Sequence, residues 1–182
     1  MLLITVIATA LGALVARSLY ADHAPLPPAA IEPSPTSVPP SEQPGSPKVE
    51  GTVDATAHPL YSTLHGLLQR FFDAINTKDY AAWAATVTEQ RQEDQPEKAW
   101  QDAYKTTRDG SIVVYRIETG EDDTARALLR FTSIQDPANA PPELHAPCIQ
   151  WNVVWFFAKE NGEWKLASGA TSALPQHETC PN

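Results

Sequence analysis

Positive charge and sequence motifs for catalysis are both scarce in this chain. Its 182 residues include 13 Lys and Arg against 22 Asp and Glu, and the basic residues form no stripe. A net charge of −9 without a basic patch argues against nucleic acid as a partner. The sequence has no nucleophile elbow, no glycine-rich phosphate loop and no paired metal-binding motif, so acyl transfer and phosphoryl transfer have no motif behind them.

Candidate metal ligands are equally few. His58 and His65 are seven positions apart, which is ~10 Å along a helix and too far for one ion. The two cysteines, Cys148 and Cys180, have no third and fourth ligand at a suitable spacing. We therefore predict neither a metal site nor a cofactor.

An apolar segment from Leu2 to Val15 opens the chain. Its ~14 residues give ~21 Å of helix, short of the ~30 Å hydrocarbon core of a membrane, whereas a helix that extends to Tyr20 nearly spans it. A signal peptide fits the shorter length, but no Lys or Arg precedes the segment and no convincing cleavage site follows it. Three interpretations of residues 1–21 stay open. The first is a signal anchor that crosses the cell membrane once through residues 2–20 and holds an extracytoplasmic head. The second is a cleaved signal peptide that leaves a secreted protein, and the third is a frayed terminus without either role.

A proline-rich segment follows. Nine prolines lie between Asp22 and Glu50 among Ser, Thr, Ala and Glu, with almost no large apolar side chains. Such a segment cannot bury enough surface to offset the entropy lost on ordering. We predict a disordered stalk at residues 22–54, spanning up to ~3.1 Å per residue, and a folded head at residues 55–182.

The head begins with one strong helical pattern. Apolar residues recur at steps of three and four and predict a helix that ends near Thr77. They are Leu60, Leu64, Leu67, Leu68, Phe71, Phe72 and Ile75.

Two shorter helices are predicted next. Asp79 is suited to cap the first of them, and residues 88–94 are predicted to form a loop. Asp94 has a Glu three positions on, a capping-box spacing, and predicts the start of the second. We expect this helix to stop near Arg108, because Gly110 is suited to a left-handed cap.

The apolar period then changes to two. Four segments rich in β-branched and aromatic residues predict antiparallel strands at residues 111–118, 126–134, 149–159 and 164–173. The Asn161-Gly162 pair favours a two-residue turn between the last two strands. The resulting cross-strand pairs are Phe157 with Leu166, Trp155 with Ser168, Val153 with Ala170 and Trp151 with Ser172. One face of the third strand is then apolar and must be covered by the helices. That face carries Ile149, Trp151, Val153, Trp155 and Phe157.

A resemblance to a known family rests on three stretches: LLQRFFDAINTKDYAAWAATV at residues 67–87, EKAWQDAYKTTRDGS at 97–111 and NGEWKLASG at 161–169. In this order they resemble the nuclear transport factor 2-like superfamily, the cystatin-like cone of the ketosteroid-isomerase type, in its extracytoplasmic bacterial form. The resemblance implies an α+β head whose N-terminal helices pack on the concave face of a curved four-stranded antiparallel sheet, with a cone-shaped cavity between them. The superfamily includes isomerases, cyclases and noncatalytic extracytoplasmic heads, so the fold does not fix the function.

The cysteines lie near one edge of the predicted sheet. In the hairpin register Cys148 falls opposite about Pro175, five residues before Cys180, and a tail that turns at Pro175 brings the two sulfur atoms together. We predict a disulfide, which suits an oxidising compartment. Two free thiols are the alternative.

The interior of the predicted cone has two interpretations. If Trp151 and Trp155 face the helices, small residues opposite them leave room for an aromatic-lined pocket that takes a small molecule. The candidate lining residues are Trp83, Trp100, Tyr104, Trp151, Trp155, Ser168 and Ser172. The favoured alternative is that the same aromatic residues fill the core. No general base is assigned, because Asp102 and Tyr104 are two positions apart on a helix and point in different directions.

Two classes of function remain. The leading hypothesis is a noncatalytic, extracytoplasmic, membrane-tethered interaction or accessory module with a role in the envelope, secretion or sensing. The alternative is a small-molecule-binding protein or isomerase-like or cyclase-like enzyme that uses the cone, and a buried ionisable residue in an open cavity would favour it. Val154 and Phe156 lie on the convex side of the third strand, and we hypothesise a protein partner or a second copy of the chain there.

Overall fold

The structure is a computed structural model that describes residues 39–169 and 175–181. The predicted membrane segment at residues 2–20 lies outside these residues, as do most of the predicted stalk and Ser172. Within the described ranges, no helix has the length and apolar character needed to cross a membrane.

Most helices precede most strands along the chain. The helices are α1 (Val53–Thr56), α2 (Tyr61–Thr77), α3 (Tyr80–Ala84), α4 (Glu89–Asp94) and α5 (Glu97–Tyr104), with short 3-10 helices at Pro40–Glu42 and Pro137–Asn139. The strands are β1 (Val49–Gly51), β2 (Arg108–Thr119), β3 (Thr124–Ile134), β4 (Cys148–Glu160), β5 (Glu163–Ala167) and β6 (Gln176–Thr179).

Helix α2 confirms the predicted apolar stripe. The stripe is buried from Leu64 to Ile75, and the Phe72 side chain has no exposed surface. The helix ends at Thr77 because Lys78 adopts the left-handed conformation (φ 63°), from which its N–H returns to carbonyl oxygens of the last turn.

The shorter helices agree with the sequence in part. The Asp79 carboxylate accepts a hydrogen bond from the Ala82 N–H at 2.9 Å and so caps α3, as predicted. The predicted loop at residues 88–94 is wrong, because residues 89–94 form α4. The predicted cap at Asp94 is also wrong, because α5 begins after Pro96 without a side-chain cap.

Tertiary contacts explain α4. A helix of 6 residues is marginal on its own, so it depends on contacts with the rest of the head. The Gln92 side chain donates to the Ala84 carbonyl at 3.0 Å, and the Arg91 guanidinium donates to the Ala167 carbonyl at 3.3 Å. These bonds link α4 to α3, which directly precedes it, and to β5, which is distant in sequence.

Gly110 does not cap a helix, contrary to the prediction. Helix α5 ends at Tyr104 and β2 begins at Arg108, so Gly110 is a strand residue. A Cβ atom at this position would lie 2.7 Å from the Gly45 carbonyl oxygen and 2.8 Å from that of Pro44. Glycine is needed there because another segment of backbone passes close by.

The strands form one curved, open sheet, and the chain is an α+β protein. The strand order is β1-β2-β3-β4-β5, and β6 also pairs with β4. Strand β1 is parallel to β2, and the other pairs are antiparallel. Strands β2 to β5 correspond to the four predicted strands, whereas β1 and β6 are additional.

Strand β1 lies inside residues 22–54, which the sequence assigned to a disordered stalk. Val49 is 4% exposed, its N–H donates to Gln69 Oε1 at 2.9 Å, and its carbonyl oxygen lies 2.9 Å from His65 Nε2. Packing against α2 and pairing with β2 order this segment despite its low apolar content. The folded part therefore begins before residue 55, which corrects the predicted boundary.

The helices cover the concave face of the sheet, as predicted. Strand β4 pairs with β3 so that Val153 lies beside Leu129 and Trp151 beside Phe131. On the predicted face of β4, Ile149, Val153 and Phe157 are at most 4% exposed. The core lies between this face and α2.

The predicted fourth strand is too long. The hairpin register is correct at Phe157 and Leu166, but β5 ends at Ala167, and the next described strand that pairs with β4 is β6. Trp151 pairs with His177, whereas the predicted partner Ser172 lies outside the described residues. The Ser168 hydroxyl donates to Asp94 Oδ2 at 3.0 Å, so the chain turns toward α4 directly after β5.

Candidate functional site

The predicted disulfide is present at one edge of the sheet. The sulfur atoms of Cys148 and Cys180 are 2.11 Å apart, and their Cα atoms are 5.4 Å apart. The Cys180 N–H also donates to the Cys148 carbonyl at 3.1 Å. The bond fixes the strand β6, and with it His177, against β4.

Two of the predicted lining residues lie inside the helical layer. Trp83 on α3 and Trp100 on α5 have no exposed surface, and their ring centroids are 5.7 Å apart. Tyr104 packs on Trp100 at 5.4 Å and is half-buried. Here the core interpretation applies, because the tryptophan rings fill the interior.

Trp151 and Trp155, the other two tryptophans predicted to line the cone, form part of a row of rings on the concave face, which we call the aromatic strip. The strip consists of Phe71, Trp155, Phe131, Trp151 and His177. Neighbouring ring centroids along it are 5.0 to 6.1 Å apart. Phe71 and Phe131 are buried, whereas Trp151, Trp155 and His177 are half-buried and keep part of their surface accessible.

Several ring nitrogens near the strip lack hydrogen-bond partners. Trp151 Nε1 and His177 Nδ1 are both buried and unpaired, although their rings are in contact. The indole nitrogens of Trp83 and Trp100 are unpaired as well, but these rings lie inside the filled helical layer. Buried polar atoms without a partner are rare in folded proteins. Trp151 Nε1 and His177 Nδ1 differ from the other two because they belong to half-buried rings of the strip.

A buried carboxyl group lies at the start of β2. Asp109 is 3% exposed, and its Oδ1 accepts a hydrogen bond from the Ser133 hydroxyl at 2.5 Å. Burial raises the pKa of Asp109 from 3.8 to about 6, although the Ser133 hydrogen bond and the Lys78 charge act in the opposite direction. Its side chain faces the helices, because Asp109 pairs with Ser133 and odd-numbered residues of β3 form the buried face.

The end of α2 holds the backbone of Asp109 in place. The Asn76 side chain donates to the Asp109 carbonyl at 3.0 Å and accepts from the Asp109 N–H at 2.7 Å. The Lys78 ammonium donates to the carbonyl oxygens of Ile75 and Thr107. Asp109 is therefore closed in by the protein on every described side.

A half-buried cation lies beside the strip. The Arg91 guanidinium sits over the Phe71 ring, 5.6 Å from its centroid. Burial lowers the pKa of Arg91, and the nearby Tyr104 and Asp94 oppose this shift. Burial likewise raises the pKa of the Tyr104 hydroxyl, while Arg91 acts in the opposite direction.

Sequence reasoning missed both Asp109 and Arg91. Asp109 was assigned to the connection between a helix and a strand, and Arg91 to a loop. Extending the alternating pattern of β2 back from Ile112 is the signal that places Asp109 in a strand. No comparable signal exists for Arg91, because α4 depends on tertiary contacts.

The remaining residues predicted to form a site are Ser168 and those of the convex face. Ser168 binds Asp94 as described and is exposed, so it does not line an interior. On the convex face, Leu128 is 44% exposed and Val154 is 36% exposed, and they are direct cross-strand partners. Phe156 lies on the same face and is half-buried.

No group of three or more His, Cys, Asp and Glu side chains within the described ranges is placed to hold a metal ion.

Two solved structures are similar to this chain. One is a SEC-C motif containing protein from Rhodopseudomonas palustris, with 12% identity over 60% of this chain and 78% of that one, at a TM-score of 0.47. The other is an uncharacterized protein with a cystatin-like fold from Caulobacter vibrioides, with 14% identity over 58% of this chain and 82% of that one, at a TM-score of 0.45. No family model matches the chain, and no curated protein matches it.

Proposed function

We propose that the head is a noncatalytic binding module of the nuclear transport factor 2-like superfamily that works outside the cytoplasm, held at the membrane by residues 2–20. The aromatic strip carries this proposal. Half-exposed Trp151 and Trp155 on a concave face, next to unpaired Trp151 Nε1 and His177 Nδ1, are suited to hold a ligand. The strip is supported from behind by fully buried rings, which keep it rigid.

The enclosure of Asp109 favours binding over catalysis. A general base must come within hydrogen-bond reach of the proton that it abstracts. Asp109 is 3% exposed and lies behind Ser133 and the end of α2. Of the strip residues, Phe71, Phe131, Trp151 and Trp155 have no group that takes a proton from a ligand, and His177 is the one that has.

The disulfide supports a location outside the cytoplasm. Bonds such as that between Cys148 and Cys180 form and persist in oxidising compartments. The membrane tether rests on the apolar segment at residues 2–20 and on the proline-rich segment that follows it.

A thermal-shift screen tests the binding proposal. Small aromatic compounds, both neutral and charged, are added to the wild type, to Trp155→Leu and to Trp164→Leu, which makes the same change outside the strip. We expect some compounds to raise the melting temperature of the wild type and of Trp164→Leu, but not that of Trp155→Leu. A screen without any stabilising compound, or equal responses of the two variants, would contradict the proposal.

An enzyme is the second candidate, and the raised pKa of Asp109 favours it. A carboxyl group that titrates near pH 6 is suited to move protons at physiological pH. The two candidates differ in what happens to a bound compound. Recovery of the compound unchanged after incubation supports a binding module, whereas conversion that is lost in Asp109→Asn would establish the enzyme.

The convex face is the proposed contact with a second copy of the chain. We define the convex patch as Leu128, Val154 and Phe156. Two arginines near the patch are paired within the head: Arg126 with Glu118 at 2.5 Å, and Arg116 with Asp54 at 3.2 Å. A third, Arg130, lies on the same face and donates to the neutral Gln150 side chain, so it keeps its charge. The patch thus has no excess of negative charge around it, and two copies of a chain with a net charge of −9 meet there with little repulsion.

Sedimentation over a range of protein concentrations tests the convex patch. We expect the wild type to dimerise as concentration rises and Val154→Lys to stay monomeric. Val53→Lys is the matched control, because Val53 is 79% exposed and lies on α1. A wild type that is monomeric throughout, or equal effects of the two lysines, would rule out this contact.

A further inference from the structure

Arg91 is a cation whose N–H donors meet no carboxylate directly. Among the described residues it forms no ion pair, and its one hydrogen bond, to the Ala167 carbonyl, is 3.3 Å long. A guanidinium carries five N–H donors, so most of its capacity is unused. An arginine that is half-buried in this way usually faces a carboxylate or phosphate.

The nearest polar groups do not bond to the guanidinium directly. The oxygens of Asp94 accept hydrogen bonds from Gln90 Nε2 and from the Ser168 hydroxyl, each at 3.0 Å. Tyr104 is neutral at physiological pH, because burial raises the pKa of its hydroxyl. Asp94 and Tyr104 therefore act on Arg91 through space without pairing with it.

The position of Arg91 connects it to the aromatic strip. The centroid of the Phe71 ring lies 5.6 Å from Arg91 Cζ. The same centroid lies 5.0 Å from the ring centroid of Trp155. One buried ring thus separates a cation with free donors from a half-exposed indole. A cation and a flat apolar surface at this spacing match a molecule that combines a ring with a negative charge.

We propose that Arg91 is the anion-recognition residue of the concave face and that the ligand is a planar organic anion, such as an aromatic carboxylate. The ring of the ligand lies against Trp155, and its carboxylate accepts hydrogen bonds from the guanidinium. This inference rests on the proposed binding function of the strip. It adds the chemical class of the ligand and the residue that selects it.

Isothermal titration calorimetry of the full chain tests the proposal with two probes. The probes are 2-naphthoate and its neutral analogue 2-naphthalenemethanol, which share one ring system. We expect the wild type to bind 2-naphthoate at least about 10-fold more tightly, because a hydrogen bond to a charged group contributes that much or more. Arg91→Gln should remove this preference, so that the variant binds the two probes with similar affinity.

Two further variants separate the role of Arg91 from general charge effects. Arg116→Gln removes the same charge from the convex face and should bind both probes as the wild type does. Arg91→Lys keeps the charge but loses the planar fork, so it should retain part of the preference. Melting curves establish that each variant is folded.

The outcomes distinguish a failure of the proposed role of Arg91 from a failure of the proposed binding function. If both probes bind the wild type equally and Trp155→Leu loses both, the strip binds ligands but the role of Arg91 is refuted. If neither probe binds, the planar-anion class is refuted, and the thermal-shift screen still decides the binding function. An Arg91→Gln variant that keeps the wild-type preference also overturns the inference.

Discussion

Replacing Asp109 with Asn should stabilise the head at neutral pH. Its pKa is raised from 3.8 to about 6, so the folded protein holds the proton more tightly than the unfolded chain does. The stability that protonation contributes is fully present below pH 3.8 and is lost as the pH rises through about 6. At 1.36 kcal/mol per pH unit, the loss is about 3 kcal/mol.

Asparagine keeps the shape of Asp109 without the charge. Its side-chain carbonyl still accepts the hydrogen bond from Ser133, but it forgoes the attraction of Lys78. We expect Asp109→Asn to be more stable than the wild type by about 1 to 3 kcal/mol at pH 7.5, and the difference to shrink toward zero near pH 4. The variant should therefore lose most of the pH dependence between these values.

Urea unfolding followed by tryptophan fluorescence measures this effect at pH 4, 5, 6 and 7.5. Asp102→Asn is the matched control, because the Asp102 side chain is 67% exposed and its replacement should have little effect at any pH. The reasoning is refuted if Asp109→Asn is less stable than the wild type at pH 7.5. It is also refuted if the stability difference between them does not change with pH.

Two further substitutions test how the disulfide and the packing around Gly110 stabilise the head. Cys180→Ser opens a disulfide that closes a sequence separation of 32 residues, so it should lower the unfolding free energy by about 3 to 4 kcal/mol. Denaturant melts of the oxidised wild type and the variant measure this, and equal midpoints would contradict it. Gly110→Ala should destabilise by about 1 to 3 kcal/mol, because its Cβ would lie 2.7 Å from the Gly45 carbonyl oxygen. Gly66→Ala is the control in helix α2, where the nearest atom to the new Cβ is at 3.7 Å, and it should stabilise by about 0.5 to 1 kcal/mol. Thermal melts that place both alanine variants on the same side of the wild type would count against this account.

The elements that the sequence predicts well are those whose pattern reflects one buried face. In α2 and β4 the buried residues recur at the helical and the strand period, respectively. The positions of these two elements can therefore be predicted from the periodicity of apolar residues. The turn at Asn161-Gly162 then sets the register of Phe157 and Leu166, because a two-residue loop leaves no other pairing.

The remaining elements depend on contacts between distant parts of the chain. Strand β1 is ordered by Gln69 and β2, α4 by the bond from Arg91 to Ala167 in β5, and β6 by the disulfide. None of these long-range contacts is visible in a local window of sequence. Asp109 was missed for the same reason, because its burial follows from the pairing of β2 with β3 and not from its neighbours.

The lengths of the strands limit how this protein can assemble. Among the described residues, the long strands β2, β3 and β4, with 12, 11 and 13 residues, have a neighbouring strand on both sides. The outermost described strands are β1, β5 and β6, which have 3, 5 and 4 residues. Short outer strands give another chain little backbone to extend the sheet, which protects the head against edge-to-edge aggregation. Stable contacts with other molecules should therefore form through side chains on the two faces and not by strand addition.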